Sequence, residues 1–117
     1  MKIEVLKAKL HRAAVTDANL EYEGSITIDR ALLEAARMHP FEKVDVLNVT
    51  NGARLSTYII PGGAGEICMN GAAARLCAKG DKVIIVTYTW IEESDADGWK
   101  PAVILLDGKN RPKQPAN

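Results

Sequence analysis

Lys43-Val44-Asp45-Val46-Leu47-Asn48-Val49-Thr50-Asn51-Gly52-Ala53-Arg54-Leu55-Ser56-Thr57-Tyr58-Ile59-Ile60 reads as two strands around a turn. Apolar side chains alternate at Val44 and Val46, and less strictly at Leu47 and Val49, the period of a strand with one buried face. Arg54 to Ile60 is the matching strand. Asn51-Gly52 between them is the dipeptide best suited to the positive φ angles of a type I′ turn. A hairpin in the middle of the chain points to a β domain.

Working outward, Ile3 to Lys9 reads as a strand and His11 to Thr16 as a second short one, supported by β-branched Val15-Thr16. Asp17-Ala18-Asn19 is a turn-forming group, Leu20 to Glu23 is extended, and Gly24 breaks the run. Ile26-Thr27-Ile28 feeds Asp29, an N-cap for a helix over Arg30 to Met38 that Pro40 stops. Beyond the hairpin, Pro61 to Gly65 is a flexible loop and Glu66 to Asn70 a short strand. Gly71 to Leu76 is one helical turn or a close-packed loop. Lys79-Gly80-Asp81 is a turn, and Lys82 to Trp90 is the longest strand pattern. Glu92 to Gly98 is a short helix or loop, Pro101 to Asp107 the last strand, and the tail from Gly108, with Pro112 and Pro115, reads as disordered. Seven or eight short strands with one helix and one or two helical turns indicate a small mixed barrel.

The chain has 117 residues, which makes 1–117 a single domain. Hydrophobic residues are 47%, enough for a core without metals or disulfides. Acidic and basic residues balance at 15 each, so nucleic acid is not an expected partner. No apolar run reaches about 18 residues and no signal-peptide core follows Met1, so no membrane partner is expected and the protein is read as cytoplasmic. Cys68 and Cys77 have no metal-binding spacing with His11 or His39. They read as reduced thiols, and no metal is assigned.

The pair Gly24-Ser25 carries the possible chemistry. A serine hydroxyl can attack the preceding carbonyl when the turn exposes that peptide and a neighbour stabilises the oxyanion. Gly24, without a Cβ, tolerates the required backbone geometry. The amide becomes an ester, elimination releases Met1 to Gly24, and hydrolysis leaves a pyruvoyl group at residue 25. Such a ketone forms a Schiff base with an amino acid and serves as an electron sink. On its own a Gly-Ser pair is most often only a turn.

The surrounding segments change that weight. Lys9-Leu10-His11-Arg12-Ala13-Ala14-Val15-Thr16, Tyr22-Glu23-Gly24-Ser25-Ile26-Thr27-Ile28-Asp29, Asn48 to Arg54, Ser56-Thr57-Tyr58, Asn70 to Leu76 and Gly80 to Ile85 together resemble the pyruvoyl-dependent aspartate 1-decarboxylase family. The resemblance spans about residues 5 to 107. It implies a mainly β fold, a small six-stranded double-psi β-barrel with one or two short helices. It implies self-cleavage between Gly24 and Ser25 into a 1–24 β chain and a 25–117 α chain. The cofactor is then a pyruvoyl group derived from Ser25, with no pyridoxal phosphate. The implied reaction converts L-aspartate to β-alanine and carbon dioxide for pantothenate and coenzyme A synthesis. The assembly it implies is a homotetramer with sites between subunits.

The implied roles fall residue by residue. Ser25 resembles the pyruvoyl precursor, Gly24 the new C-terminus, and Tyr58 the proton donor. Thr57 and Asn70 are similar to residues that assist self-cleavage, and Thr57 also to one that lies against substrate. Arg54 resembles the carboxylate anchor, which suits a bidentate guanidinium. By alternation it shares a strand face with Ser56 and Tyr58. Lys9, His11, Gly71, Ala72 and Ala73 resemble substrate-lining positions. The chain departs from the family pattern near residue 3, at Leu47, where some members carry an aromatic, in a Pro61–Gly65 loop shorter than in many relatives, and in a short C-terminal tail. Two other readings are a non-enzymatic binding barrel and a pyruvoyl decarboxylase for another amino acid.

Overall fold

The computed structural model describes residues 1–113. It is mainly β. The strands are β1 (Lys2–Ala14), β2 (Asp17–Asn19), β3 (Ser25–Asp29), β4 (Lys43–Asn48), β5 (Arg54–Gly62), β6 (Ile67–Asn70), β7 (Lys82–Glu92) and β8 (Ala102–Leu105). Helix α1 spans Arg30–Ala36, and 3-10 turns cover Gly71–Arg75 and Glu93–Gly98. The sheet order is β2-β6-β3-β5-β4-β7-β1-β8. The described residues thus form eight strands, not the six that the resemblance implies, and no ladder joins β2 to β8 among them.

The hairpin is present, with Lys43 opposite Tyr58 and Leu47 opposite Arg54. Its turn is not type I′. Gly52 has φ +79°, but Asn51 is not in the positive-φ region. A buried side chain at the end of β4 sets the loop instead. Asn48 Oδ1 accepts from the Thr50 and Asn51 N–H groups, and its Nδ2 donates to Leu76 O and Asp81 Oδ2. Val49 N–H donates to Lys82 O. These ties to the segment before β7 leave strand β4 ending at Asn48, with a longer loop than the dipeptide predicts.

Other expectations are corrected in the same way, by partners distant in sequence. The two N-terminal strands are one, β1, bent by register shifts between Leu6 and Ala8 and between Leu10 and Ala13 while it stays paired with β7. Asp17 to Asn19 is a strand and not a turn, because it pairs in parallel with Cys68–Asn70. Leu20 to Glu23 is not extended, since Asn19 Oδ1 accepts from Glu21 N–H and turns the chain. Asp29 caps α1 as expected, accepting from Ala31 N–H at 2.8 Å. The helix ends before Pro40, however: Arg37 turns left-handed at φ 57°, and Met38 N–H reaches back to Leu33 O. The Pro61–Gly65 loop is tied down, with Gly65 N–H on Asp29 Oδ2 and Gly63 N–H on Glu66 Oε1.

Residues 108–113 are ordered, contrary to the reading as a disordered tail. Asn110 is 2% exposed. Its side chain bonds both the N–H and the C=O of Ala14 and also Gly65 O. Pro112 bridges to Leu106. Pro115 lies outside the described residues. No helix among the described residues is long and apolar enough to cross a membrane.

The core takes one face of the strands: Leu10, Ile26, Ile28, Val44, Val46, Ile59, Ile67, Met69, Val83 and Ile85, closed by Leu32 of α1. Each such side chain contributes roughly 1.5–3 kcal/mol on burial. That face holds β3 and β6 rigidly, which matters for what stands on their other face.

Asp81 offers a pH test of the loop network. Its Oδ2 accepts from Ala78 N–H and from Asn48 Nδ2, both at 2.9 Å. These bonds, the backbone one foremost, hold its carboxyl below the ordinary 3.8. A lowered folded value means stability that is present above the ordinary value and lost as pH falls through the folded one. Asp81→Asn is expected to lower Tm at neutral pH, with the gap to wild type closing as melting is repeated below pH 3.8.

Candidate active site around Ser25

Strands β3 and β6 are antiparallel, with Ser25 opposite Asn70 and Thr27 opposite Cys68. Alternation sends Ile26, Ile28, Ile67 and Met69 into the core, all at 0% exposure. It sends Ser25, Thr27, Cys68 and Asn70 to the other face, as one polar quartet. Asn70 Nδ2 donates to Ser25 Oγ at 3.0 Å and to Thr27 Oγ1 at 2.9 Å. Ser25 Oγ donates to Glu23 O at 3.2 Å. Cys68 Sγ lies 3.3 Å from Asn70 Oδ1. Ser25 is 3% exposed and Asn70 5%. A buried serine hydroxyl is thus polarised by an amide that is itself held in place.

The segment before Ser25 is pinned by Gly71. That residue has φ +62°, and a Cβ there would stand 2.6 Å from Gly24 N and 2.7 Å from both Gly24 Cα and Tyr22 O. Only glycine allows this approach. At Gly24 itself the space a Cβ would enter is empty. It opens on a cavity of about 410 Å³ lined by Gly24, Leu55, Ser56, Thr57, Tyr58, Ala72, Ala73 and Leu76. The Tyr58 ring lies 6.2 Å, centre to centre, from Phe41 and is tilted 30° to it.

The fold therefore brings together Gly24, Ser25, Thr57, Tyr58, Asn70, Gly71, Ala72 and Ala73. Three expected residues stay apart within one chain. Arg54 is exposed and lines an adjoining depression of about 170 Å³ with Asp45, Leu47, Leu55 and Ser56, the last two of which also line the cavity at Gly24. It shares alternation with Tyr58, four residues or about 13 Å further along the strand, and it does not itself line the Gly24 cavity. Lys9 and His11 sit on β1, which β5, β4 and β7 separate from β3. His11 Nδ1 is buried without a hydrogen-bond partner among the described residues. Burial first, then the charges of Lys9, Arg12 and Lys113, keep its pKa below the ordinary 6.5. The Pro61–Gly65 loop meets the Asp29 end of β3, away from Ser25. Thr27 and Cys68 were not singled out from the sequence. The signal was available: both sit two residues from Ser25 or Asn70, on the same strand faces.

A small β domain with a buried serine at a strand start, an amide donor on it and a cavity beside the preceding glycine defines an enzyme of the carboxy-lyase class once its relatives are considered. The family model described as aspartate decarboxylase matches residues 1–113. The chain is 56% identical to an aspartate 1-decarboxylase of Leptospira biflexa, covering 97% of this chain and 99% of the relative. It is 56% identical to those of Hydrogenobaculum, over 94% and 88% of the two chains, and of Carboxydothermus hydrogenoformans, over 95% and 89%. The chain belongs to the aspartate decarboxylase family.

Gly71→Ala tests the close approach. Its methyl meets backbone atoms that cannot rotate away, at a left-handed φ. A loss of about 2 kcal/mol or more in unfolding free energy is expected by urea titration. An unchanged midpoint would mean that residues 22 to 24 move aside freely.

Proposed function

We propose that this chain decarboxylates L-aspartate to β-alanine, using a pyruvoyl group made from its own Ser25. The observation that carries the reading is the buried Ser25 hydroxyl bonded to Asn70 Nδ2 beside a cavity at Gly24. The residues fit such a group: Gly24 leaves its Cβ space empty, and Gly71 holds the backbone on the other side.

In the proposed processing, Ser25 Oγ attacks the Gly24 carbonyl carbon and the C–N bond breaks. The freed Ser25 amine takes the proton, and an ester joins the two residues. Loss of the Ser25 Cα proton expels the Gly24 carboxylate and leaves a Cα–Cβ double bond. Water then adds at Cα, ammonia leaves, and a ketone remains on residue 25. Asn70 holds the Ser25 oxygen in position, and Thr57, on the cavity wall, assists the attack. A pyruvoyl group at residue 25, held between Gly71 and the cavity, would supply an electrophilic carbonyl and an electron sink for an amino-acid substrate. Tyr58, on the same wall, donates a proton to the substrate α-carbon. Gly71, Ala72 and Ala73 hold the substrate backbone atoms.

Lys9, His11 and Arg54 are the groups suited to carboxylates, and none of them lines the Gly24 cavity in one chain. A neighbouring copy that completes each site would account for this, and the family resemblance makes that assembly a homotetramer. Arg54 is then the bidentate anchor for aspartate. The same reading takes the sheet as a double-psi barrel, the cell compartment as the cytoplasm, and the product as feeding pantothenate synthesis.

Intact-mass measurement of purified protein is expected to give Met1–Gly24 and a 25–117 fragment blocked at its N-terminus. Ser25→Ala is expected to stay whole and inactive; an intact, active wild-type chain would end the reading. In Arg54→Ala, steady-state assays should find KM for aspartate raised about a hundredfold, from loss of a charge-assisted pair, with a smaller change in kcat. An unchanged KM would remove Arg54 from the substrate site.

A further inference from the structure

We propose that Cys68 is a positioning residue for Ser25, acting through Asn70. The inference rests on the self-cleavage reading above and concerns a residue which that reading leaves without a role. An asparagine amide offers one acceptor oxygen and a nitrogen with two donor hydrogens, and it can be turned end for end in the same space. Around Asn70 all three are used: Nδ2 on Ser25 Oγ and Thr27 Oγ1, and Oδ1 on Cys68. The two hydroxyls do not choose between the orientations, because each can donate or accept. The third neighbour chooses.

Cys68 stands directly opposite Thr27 and two residues before Asn70, on the same face of β6. Its sulfur is 3.3 Å from Asn70 Oδ1, a close approach for a thiol donor. The thiol stays protonated because burial, with the nearby Asp17 and Glu66 carboxylates, raises its pKa above the ordinary 9.0. An S–H pointed at Asn70 holds the oxygen on its own side and the NH₂ on the side of Ser25. Turned round, the amide would set its oxygen against Ser25 Oγ. The Ser25 proton would then go to Asn70 instead of Glu23 O, and Nδ2 would face sulfur, a weak acceptor. The orientation that polarises Ser25 is therefore the one that a donor at position 68 selects. Cys68 makes its hydrogen bonds to Asn70 and Met69 O, not to Ser25, and does not line the cavity.

The test follows processing by intact mass over time in wild type, Cys68→Ser, Cys68→Ala and Cys68→Val, with Tm measured for each. Serine keeps a donor. Alanine removes it, and valine removes it while keeping bulk. Both apolar variants are expected to process about tenfold more slowly than wild type, the scale of one lost hydrogen bond, and Cys68→Ser, whose hydroxyl can donate but can also accept, faster than either. Rescue by serine with failure of valine separates orientation from packing. Equal rates in Cys68→Ala and wild type overturn the role of Cys68 alone, as does a Cys68→Ser as slow as Cys68→Val. A wild-type chain that never processes overturns the self-cleavage reading, and the role of Cys68 with it.

Discussion

The contact on which the site depends is the 3.0 Å hydrogen bond from Asn70 Nδ2 to Ser25 Oγ. It exists because β3 and β6 run antiparallel in one register, and a slip of a single residue would put Ser25 opposite the core-facing Met69 or nothing at all. The register is held from the core side, where Ile26, Ile28, Ile67 and Met69 are fully buried. The outer side adds the amide itself, which spans both hydroxyls of β3. Burial on one face thus fixes hydrogen-bond geometry on the other.

Gly71 extends the same constraint. It follows Asn70 directly and turns the chain at a positive φ, so that its backbone meets Gly24. Asn70 and Gly71 together clamp the residues on both sides of the Gly24–Ser25 peptide, one by a side-chain bond and the other by having no side chain. The cavity opens on the side left free, against Thr57 and Tyr58 of β5, which pairs with β3 in parallel. Basic residues are absent from this wall. Lys9, His11 and Arg54 occupy other parts of the sheet, and the proposed sharing of the site between copies rests on that placement.

Much of the fold was legible in the alternation of Lys43 to Ile60 and in the caps of α1, because these are local signals. What was not legible depended on partners far along the chain. Asn51-Gly52 lost its type I′ turn to the bonding of buried Asn48 with Leu76 and Asp81. Asp17-Ala18-Asn19, a turn by composition, became a strand because β6 offered a free edge. Residues 108–113 looked like a tail, and one asparagine fastened to Ala14 and Gly65 orders them. For the site, Gly24-Ser25 drew its meaning from the neighbouring segments, not from itself. The polar face of Ser25, Thr27, Cys68 and Asn70 needed the pairing of β3 with β6, which no local pattern announces. The distance between Arg54 and Tyr58 followed from strand length, which alternation alone does not reveal.

The proposed reaction turns on Ser25 becoming a reactive ketone. Purified protein treated with hydroxylamine and then digested for peptide mass mapping tests it most directly. An oxime is expected on the first residue of the fragment beginning at position 25, with loss of aspartate turnover in proportion to labelling. Recovery of an unlabelled peptide running through an uncut Gly24-Ser25, from protein that still turns over aspartate, would contradict it.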